Sequence, residues 1–403
     1  MDWGHGFLLT SLRMNKLFKS RYDEFYLDAY FGPDELVIRV DQEEIKSPLE
    51  MQRDVEDLRN SLDEQGYSTS RRRFLDKQLS GMETMLKWFT NEPLAFEEEV
   101  ETFFDVNLHW IPDSYFEHGL EIFERSLPGE GSLQERFTFW QKRNTQELSS
   151  DRLYSIIEGA TAEARRRTNE RYALPKGENV EIQTVRNKSF GAANWYKGNY
   201  HSLMVFNLDR PKNLFTLLPL ICHEGYPGHH TESSLKEEFL IHKQGYMEQS
   251  VLITLSPKLI LTEGIAEKAF EMIFTYEEAA EWMVEHVYSP LKIEYRDADL
   301  PLLLQAATRN SLDQISSNLV YLFHTGKSLE EIIRYGVTYT LIDESIIRET
   351  VELISRSRFY RNYLLSYAYG KRMVDEFIQK GDPHLQFYRL LTEQFTPEEV
   401  RES

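Results

Sequence analysis

With 403 residues, 41% of them hydrophobic and 13% aromatic, the chain has the material for a substantial packed core, which excludes wholesale disorder. A formal charge of −20 excludes duplex nucleic acid as a natural partner, because such binding draws its affinity from Lys and Arg neutralising phosphates. The single cysteine, Cys222, excludes an internal disulfide framework and any multi-cysteine metal site, so a metal has to be held by His and carboxylate side chains.

The opening residues, Met1 to Gly6, lack the basic start and apolar run of a secretion signal. No stretch reaches the roughly 18 apolar residues of a membrane span, so a cytoplasmic protein with no membrane partner is expected. From Phe7 to about Tyr172 apolar positions recur three and four apart, broken near Gly32-Pro33, Ser47-Pro48, Pro112-Asp113 and Pro128-Gly129. That spacing predicts a series of helices. One of them runs from Ser150 to Tyr172, with Leu153, Ile156, Ile157 and Ala160 on a shared stripe. The clusters Arg71-Arg72-Arg73 and Arg165-Arg166-Arg167 read as solvated helix faces.

After Leu174-Pro175-Lys176-Gly177 the pattern changes, and Val180, Ile182 and Thr184 alternate with polar residues as in a half-exposed strand. A second strand is expected over Tyr200 to Asn207, with a loop over Asn187 to Asn199 between them. The pair is read as a small antiparallel hairpin, and Tyr200 to Asn207 as an edge that an extended peptide could extend. Pro211 precedes a helical pattern from about Leu214 to His230. Further helices are expected over residues 259–280, 282–309, 311–325, 328–337, 341–355 and 359–379. The fold class expected is mainly α, with a small antiparallel hairpin or sheet beside the active-site helix. A soft boundary divides an N-terminal helical part, 1–175, from a part carrying the chemistry, 176–403, unless one core spans both.

The chemistry centres on His223-Glu224-Gly225-Tyr226-Pro227-Gly228-His229-His230. In the common zinc-hydrolase pattern two His lie four apart on a helix with a Glu beside the first. Here the fourth position is Pro227, and the next histidines come six and seven residues after His223, about 9 to 10.5 Å along an undistorted helix. Pro227 leaves the His223 carbonyl without a helical partner and Gly228 relaxes the backbone, so the turn must widen or kink until a second histidine returns to the first. His229 is the expected ligand and His230 the alternative. A plain helix end followed by two histidines with no ligand role would have the same local sequence.

A third ligand is expected from Glu263, which opens a helical stretch after Pro257 and lies 34 residues beyond His229 (263 − 229). Glu267, one turn on, is placed to accept a ring N–H from a ligand histidine. Zinc held by two His and one Glu keeps an open coordination place for water, with Glu224 as the proton-transfer group. Tyr363 and Tyr367, four apart on one predicted helix, offer O–H donors, and Tyr367 is taken as support for a developing oxyanion. His324 reads as a helix-end residue before Gly326, and Cys222 as a buried thiol.

The strings HEGYPGHHTE, NYHSLMVFNLDRP, LILTEGIAEKAFE and SYAYGKRMVDEFI, with DAYFGPDEL near residue 28, resemble a bacterial family known as domain of unknown function 885. That family groups with gluzincin-type zinc metallopeptidases, and the likeness covers nearly the whole chain. The resemblance implies that His223 and one histidine of the 229/230 pair match the family's ligands, Glu224 its catalytic acid and Glu263 its downstream carboxylate. The function expected is hydrolysis of peptide or small amide bonds. The same chemistry on a non-peptide amide or ester, or a helical metal-binding or partner-binding protein without turnover, are the alternatives.

Overall fold

A computed structural model describes residues 2–22, 26–90, 92, 94–145, 148–188, 191–208, 213–294 and 299–402. It is mainly α-helical. The N-terminal helices are α1 (Trp3–Arg21), α2 (Asp34–Gln42), α3 (Pro48–Ser61), α4 (Thr69–Thr90), α5 (Phe96–Phe104), α6 (Asp113–Ser126), α7 (Leu133–Asn144) and α8 (Ser150–Arg171). Their boundaries fall where the turn chemistry predicts. Ser47 accepts from the Glu50 backbone N–H while Glu50 reaches back to the Ser47 N–H, and Ser132 and Glu135 repeat the arrangement ahead of α7.

Two sheets interrupt the helices. Strand β1 (Leu27–Tyr30) pairs antiparallel with β5 (Val251–Ile253), with a register shift between Leu27 and Ala29 that makes Asp28 the bulged residue. Strands β2 (Asn179–Val185), β3 (Ala192–Gly198) and β4 (His201–Asn207) form a sheet in the order β2-β4-β3. The expected hairpin is therefore corrected. The segment read as a loop carries β3, which pairs antiparallel with β4, whereas β2 pairs with β4 in parallel. Strand β4 is central, so Tyr200 to Asn207 offers no edge to a peptide; the outer strand beside the segment that carries His223 and His229 is β3. The crossover through β3 lets β4 bury Met204, Val205 and Phe206, which an exposed edge would have left in water.

Beyond the sheet run α9 (Leu214–Glu224), α10 (His229–Lys236), α11 (Pro257–Ile273), α12 (Tyr276–Met283), α13 (Leu300–Arg309), α14 (Leu312–His324), α15 (Leu329–Thr340), α16 (Glu344–Arg356), α17 (Arg358–Tyr363), α18 (Leu365–Ile378), α19 (Pro383–Thr392) and α20 (Pro397–Glu402). The expected helix over 282–309 is instead two helices. After a π-helical turn at Val284–Tyr288 the chain meets Pro290, which has no N–H to continue it, and Lys292 adopts a left-handed φ of 57°. The expected helix over 359–379 is likewise divided at Leu364. Pro211, and Ser189 and Phe190 of the expected loop, lie outside the described residues.

One hydrophobic cluster runs from Trp3 to Val400 and draws on both sides of residue 175. Not every cationic cluster faces water. Arg71 is buried, stacked 3.9 Å from the ring centres of both Tyr67 and Tyr246 and paired with Glu248 at 2.8 Å. Arg165 and Arg166 are exposed, pairing with Glu178 at 2.6 Å and with Glu163 and Glu170, whereas the half-buried Arg167 pairs with Glu163 at 2.7 Å and reaches Glu278 at 3.2 Å. The reading of these clusters as solvated faces holds for Arg73, Arg165 and Arg166 and fails for Arg71, whose guanidinium is buried against two rings and a carboxylate from distant parts of the chain.

Candidate metal centre

Helix α9 begins where the Asn213 side chain accepts from the Phe215 N–H, and its apolar residues bury it against the core. Its last turn carries His223 and Glu224. The helix stops there: the Gly225 N–H bonds to the Ile221 carbonyl at 2.9 Å, and the Gly228 N–H to the Cys222 carbonyl at 3.0 Å. A second helix, α10, then starts at His229. The expected single kinked helix is thus a helix, a four-residue turn and a new helix. Gly228 is required for close approach, because a Cβ there would stand 1.9 Å from the His223 carbonyl oxygen. Cys222 points away from this face and is fully buried.

The turn folds the two histidines together. The rings of His223 and His229 lie 4.7 Å apart between centres and nearly perpendicular, at 89°. Ser256 caps α11 through the Leu259 N–H, with Pro257 at its first position, and that helix carries Glu263 into the same space. Glu263 Oε2 lies 3.5 Å from His223 Nε2 and 3.7 Å from His229 Nε2. The three ligand atoms all fall within 4.8 Å of one another, and among the described residues this is the one such group of His, Cys, Asp and Glu.

The group fits a metal ion. Donors each about 2.0–2.2 Å from one tetrahedral ion sit roughly 3.3–3.6 Å apart, close to the two distances that Glu263 makes. Glu263 is buried, and its Oε2 has no hydrogen-bond partner. A buried carboxylate oxygen left so is costly unless a cation completes it.

The surroundings orient these three side chains. Glu267 Oε1 lies 3.3 Å from His223 Nδ1, while its other oxygen accepts from Gln314 Nε2 at 2.9 Å. Glu267 therefore has the supporting position expected of it. Burial opposes a charged His223 ring, but Glu263 and Glu267 outweigh it and hold the imidazole well above its ordinary value. Tyr363 donates to Glu263 Oε1 at 3.3 Å, and Tyr367 donates to the Tyr363 oxygen, also at 3.3 Å. Burial, followed by neighbouring negative charge, raises both phenols well above their ordinary values, so they remain donors. Of the two, Tyr363 contacts the Glu263 carboxylate, and Tyr367 lines the cavity beside it.

His230 is turned the other way. It is fully buried, with Nδ1 2.8 Å from Ser202 Oγ on β4 and Nε2 3.0 Å from Glu178 Oε2. Tyr226 donates to the same Glu178 oxygen at 2.5 Å and Arg165 to the other at 2.6 Å. This network pins the turn to the sheet from behind, and burial lowers the His230 pKa despite Glu178. The Asn194 side chain on β3 adds a 2.7 Å bond to the Glu224 carbonyl. His324, read as a helix-end residue, closes α14 but gives its ring to Glu97 at 2.6 Å, far from the site in chain and role.

Two carboxylates at the site were not singled out from sequence. Asp28, at the β1 bulge, is open to solvent, yet the protein crowded about it and the charge of Glu263 push its carboxyl up to about 6, with His229 opposing. Asp313, at the start of α14, is raised by the same crowding and by Glu267. No helical or strand periodicity marks either residue; the short β1–β5 pairing and the α14 N-terminus bring them in.

His223, Glu224, Glu267, Asp313 and Tyr367 open onto a cavity of about 520 Å³. The metal-side groups thus form one end of a space large enough for a small-molecule or peptide segment.

No protein-family model matches the chain, and no curated protein matches it. Two solved structures share the fold. One is described as "the putative lipoprotein from Colwellia psychrerythraea", with 16% identity over 87% of this chain and a TM-score of 0.56. The other, "a putative lipoprotein of unknown function from Shewanella oneidensis", has 13% identity over 92% of this chain and a TM-score of 0.53. The chain spans 65% of the first neighbour's length and 72% of the second's. Among the described residues no helix is long and apolar enough to cross a membrane.

Proposed function

We propose that this chain is a zinc-dependent hydrolase acting on peptide or small amide bonds, with His223, His229 and Glu263 as the metal ligands. The observation that carries the reading is the convergence of two imidazoles on the buried Oε2 of Glu263, which accepts no hydrogen bond. Two His and one carboxylate are the donor set of open catalytic zinc sites. Bound there, zinc supplies a Lewis acid and acidifies a water near neutral pH.

The chain's own groups account for the remaining steps. Glu224 adjoins a ligand histidine and faces the cavity, so its carboxylate is placed to take a proton from the attacking water and deliver it to the leaving nitrogen. Tyr363 spends its O–H on Glu263, whereas Tyr367, which borders the cavity, would turn its O–H from the Tyr363 oxygen to an oxygen on which negative charge develops. Glu267 and Gln314 hold the His223 ring in one orientation, and the His230–Glu178–Tyr226 network holds the turn that presents His229. A cavity adjoining the ligands favours turnover of a bound substrate over metal storage.

The test is zinc content together with turnover. One equivalent of zinc per chain and chelator-sensitive cleavage of fluorogenic peptides are expected. Glu224→Gln should keep the zinc and lose activity by roughly 10²–10⁴-fold. Full activity in that variant removes Glu224 from its role, and a chain that binds no metal removes the whole reading.

A further inference from the structure

The cavity beside the metal ligands is divided in character. Glu224, Glu267 and Asp313 line it near the metal ligands, whereas Phe137, Trp140, Leu220 and Phe270 supply an apolar wall, with Gln141, Asn213 and Thr216 among them. The division follows from helix periodicity. On α9, Thr216, Leu220 and Glu224 stand four apart on one face, so the wall continues directly from the proton-transfer group. On α11, Glu263, Glu267 and Phe270 repeat the same passage from ligand to orienting carboxylate to apolar wall.

That wall is preformed. Trp140 packs edge-on against Phe215 with ring centres 4.4 Å apart, and Phe137 against Phe123 at 5.0 Å, so neither ring is free to collapse inward. The cationic Lys371 that also borders the cavity is engaged by Glu271 at 3.0 Å and by the Glu267 carbonyl at 3.0 Å. Lys371 and Glu271, which both line the cavity, thus satisfy each other, and the remaining carboxylates of the lining are Glu224, Glu267 and Asp313.

Resting on the hydrolase reading above, we propose that this cavity is a specificity pocket selecting a bulky apolar side chain, aromatic or branched aliphatic, on the residue next to the bond broken. An acidic side chain would meet Glu224, Glu267 and Asp313 on entry, and a small one would leave the aromatic wall uncovered. A site of this volume holds the side chain together with the backbone that bears it.

The probes are blocked alanine pentapeptides whose central residue is Gly, Asp, Lys, Leu or Phe. With the zinc-loaded full chain, kcat/KM should be at least about tenfold higher for Phe and Leu than for Gly, with Asp the poorest. Calorimetric titration of Glu224→Gln with the same peptides should give the same order in Kd. Ile346 lines the rim and is 45% exposed, so Ile346→Glu should fold normally; it is expected to weaken the Phe preference and improve that for Lys. Ala307→Phe, which narrows the cavity, should shift the preference toward Gly.

Equal binding of the Phe and Gly peptides to Glu224→Gln, or binding of neither, overturns the pocket. Turnover without side-chain preference overturns it and leaves the hydrolase standing. Preference in binding with no turnover in the zinc-loaded wild type does the opposite.

Discussion

Gly264 and Gly370 bring the backbones of α11 and α18 into direct contact. A Cβ on Gly264 would lie 2.3 Å from the Gly370 carbonyl oxygen, and one on Gly370 would lie 2.2 Å from that of Ile260. The crossing sets the height of Glu263, next to Gly264, against Tyr367, one turn before Gly370. Both obstacles are backbone, so no side chain can move aside. Gly370→Ala is therefore expected to cost at least about 1–3 kcal/mol in urea denaturation. Gly159→Ala, exposed on α8 with nothing within 4 Å, should be neutral or stabilising by about 0.5–1 kcal/mol. Equal effects of the two would mean that the close crossing does not constrain the fold.

The two adjacent histidines should respond differently. Metal analysis of purified variants is expected to find zinc lost in His223→Ala, His229→Ala and Glu263→Ala. His230→Ala should retain the ion but unfold more easily, by about 1–3 kcal/mol, since Glu178 and Ser202 lose a buried partner. Zinc kept in His229→Ala and lost in His230→Ala would reverse the assignment.

Glu267 touches the proposed metal site only through His223. Glu267→Gln should leave one site per chain but weaken zinc affinity by roughly 10–100-fold in competition with a chromophoric chelator. An unchanged affinity would assign the Glu267–His223 contact to packing alone.

The pair Glu271 and Lys371 predicts an acid limb of stability. Burial would raise the Glu271 carboxyl, but Lys371 and Lys268 prevail and bring it down to about 2 from an ordinary value of 4.5. A carboxyl depressed on folding contributes stability that is fully present above pH 4.5 and is lost as the pH falls toward 2. Glu271→Gln should cost on the order of 3 kcal/mol at pH 7, and the difference from the parent chain should shrink across that window in chemical denaturation. A pH-independent difference would point to lost shape rather than lost charge.

Much of the helical course was legible in sequence, since Ser47-Pro48, Pro112-Asp113 and Pro257 mark helix starts by chemistry that acts within one turn. The strands were less so. β1 and β5, with four and three residues, are too short for an alternating pattern to register, and the parallel pairing of β2 with β4 depends on β3, hidden in a stretch bearing glycine and asparagine.

At the site the residue types were readable, and their directions were not. Pro227 and Gly228 already implied a widened or kinked turn after Glu224, though not the full break between α9 and α10, and Glu263 stood out by its place after Pro257; both are consequences of local backbone chemistry. Which of His229 and His230 meets Glu263 is decided by Glu178 and Ser202, 52 and 28 residues away from His230, which claim its ring for the interior. Asp28 and Asp313 enter the site by the same kind of long-range packing. A side chain's identity is written at its own position, but the direction it faces after a turn depends on which distant groups satisfy its neighbours.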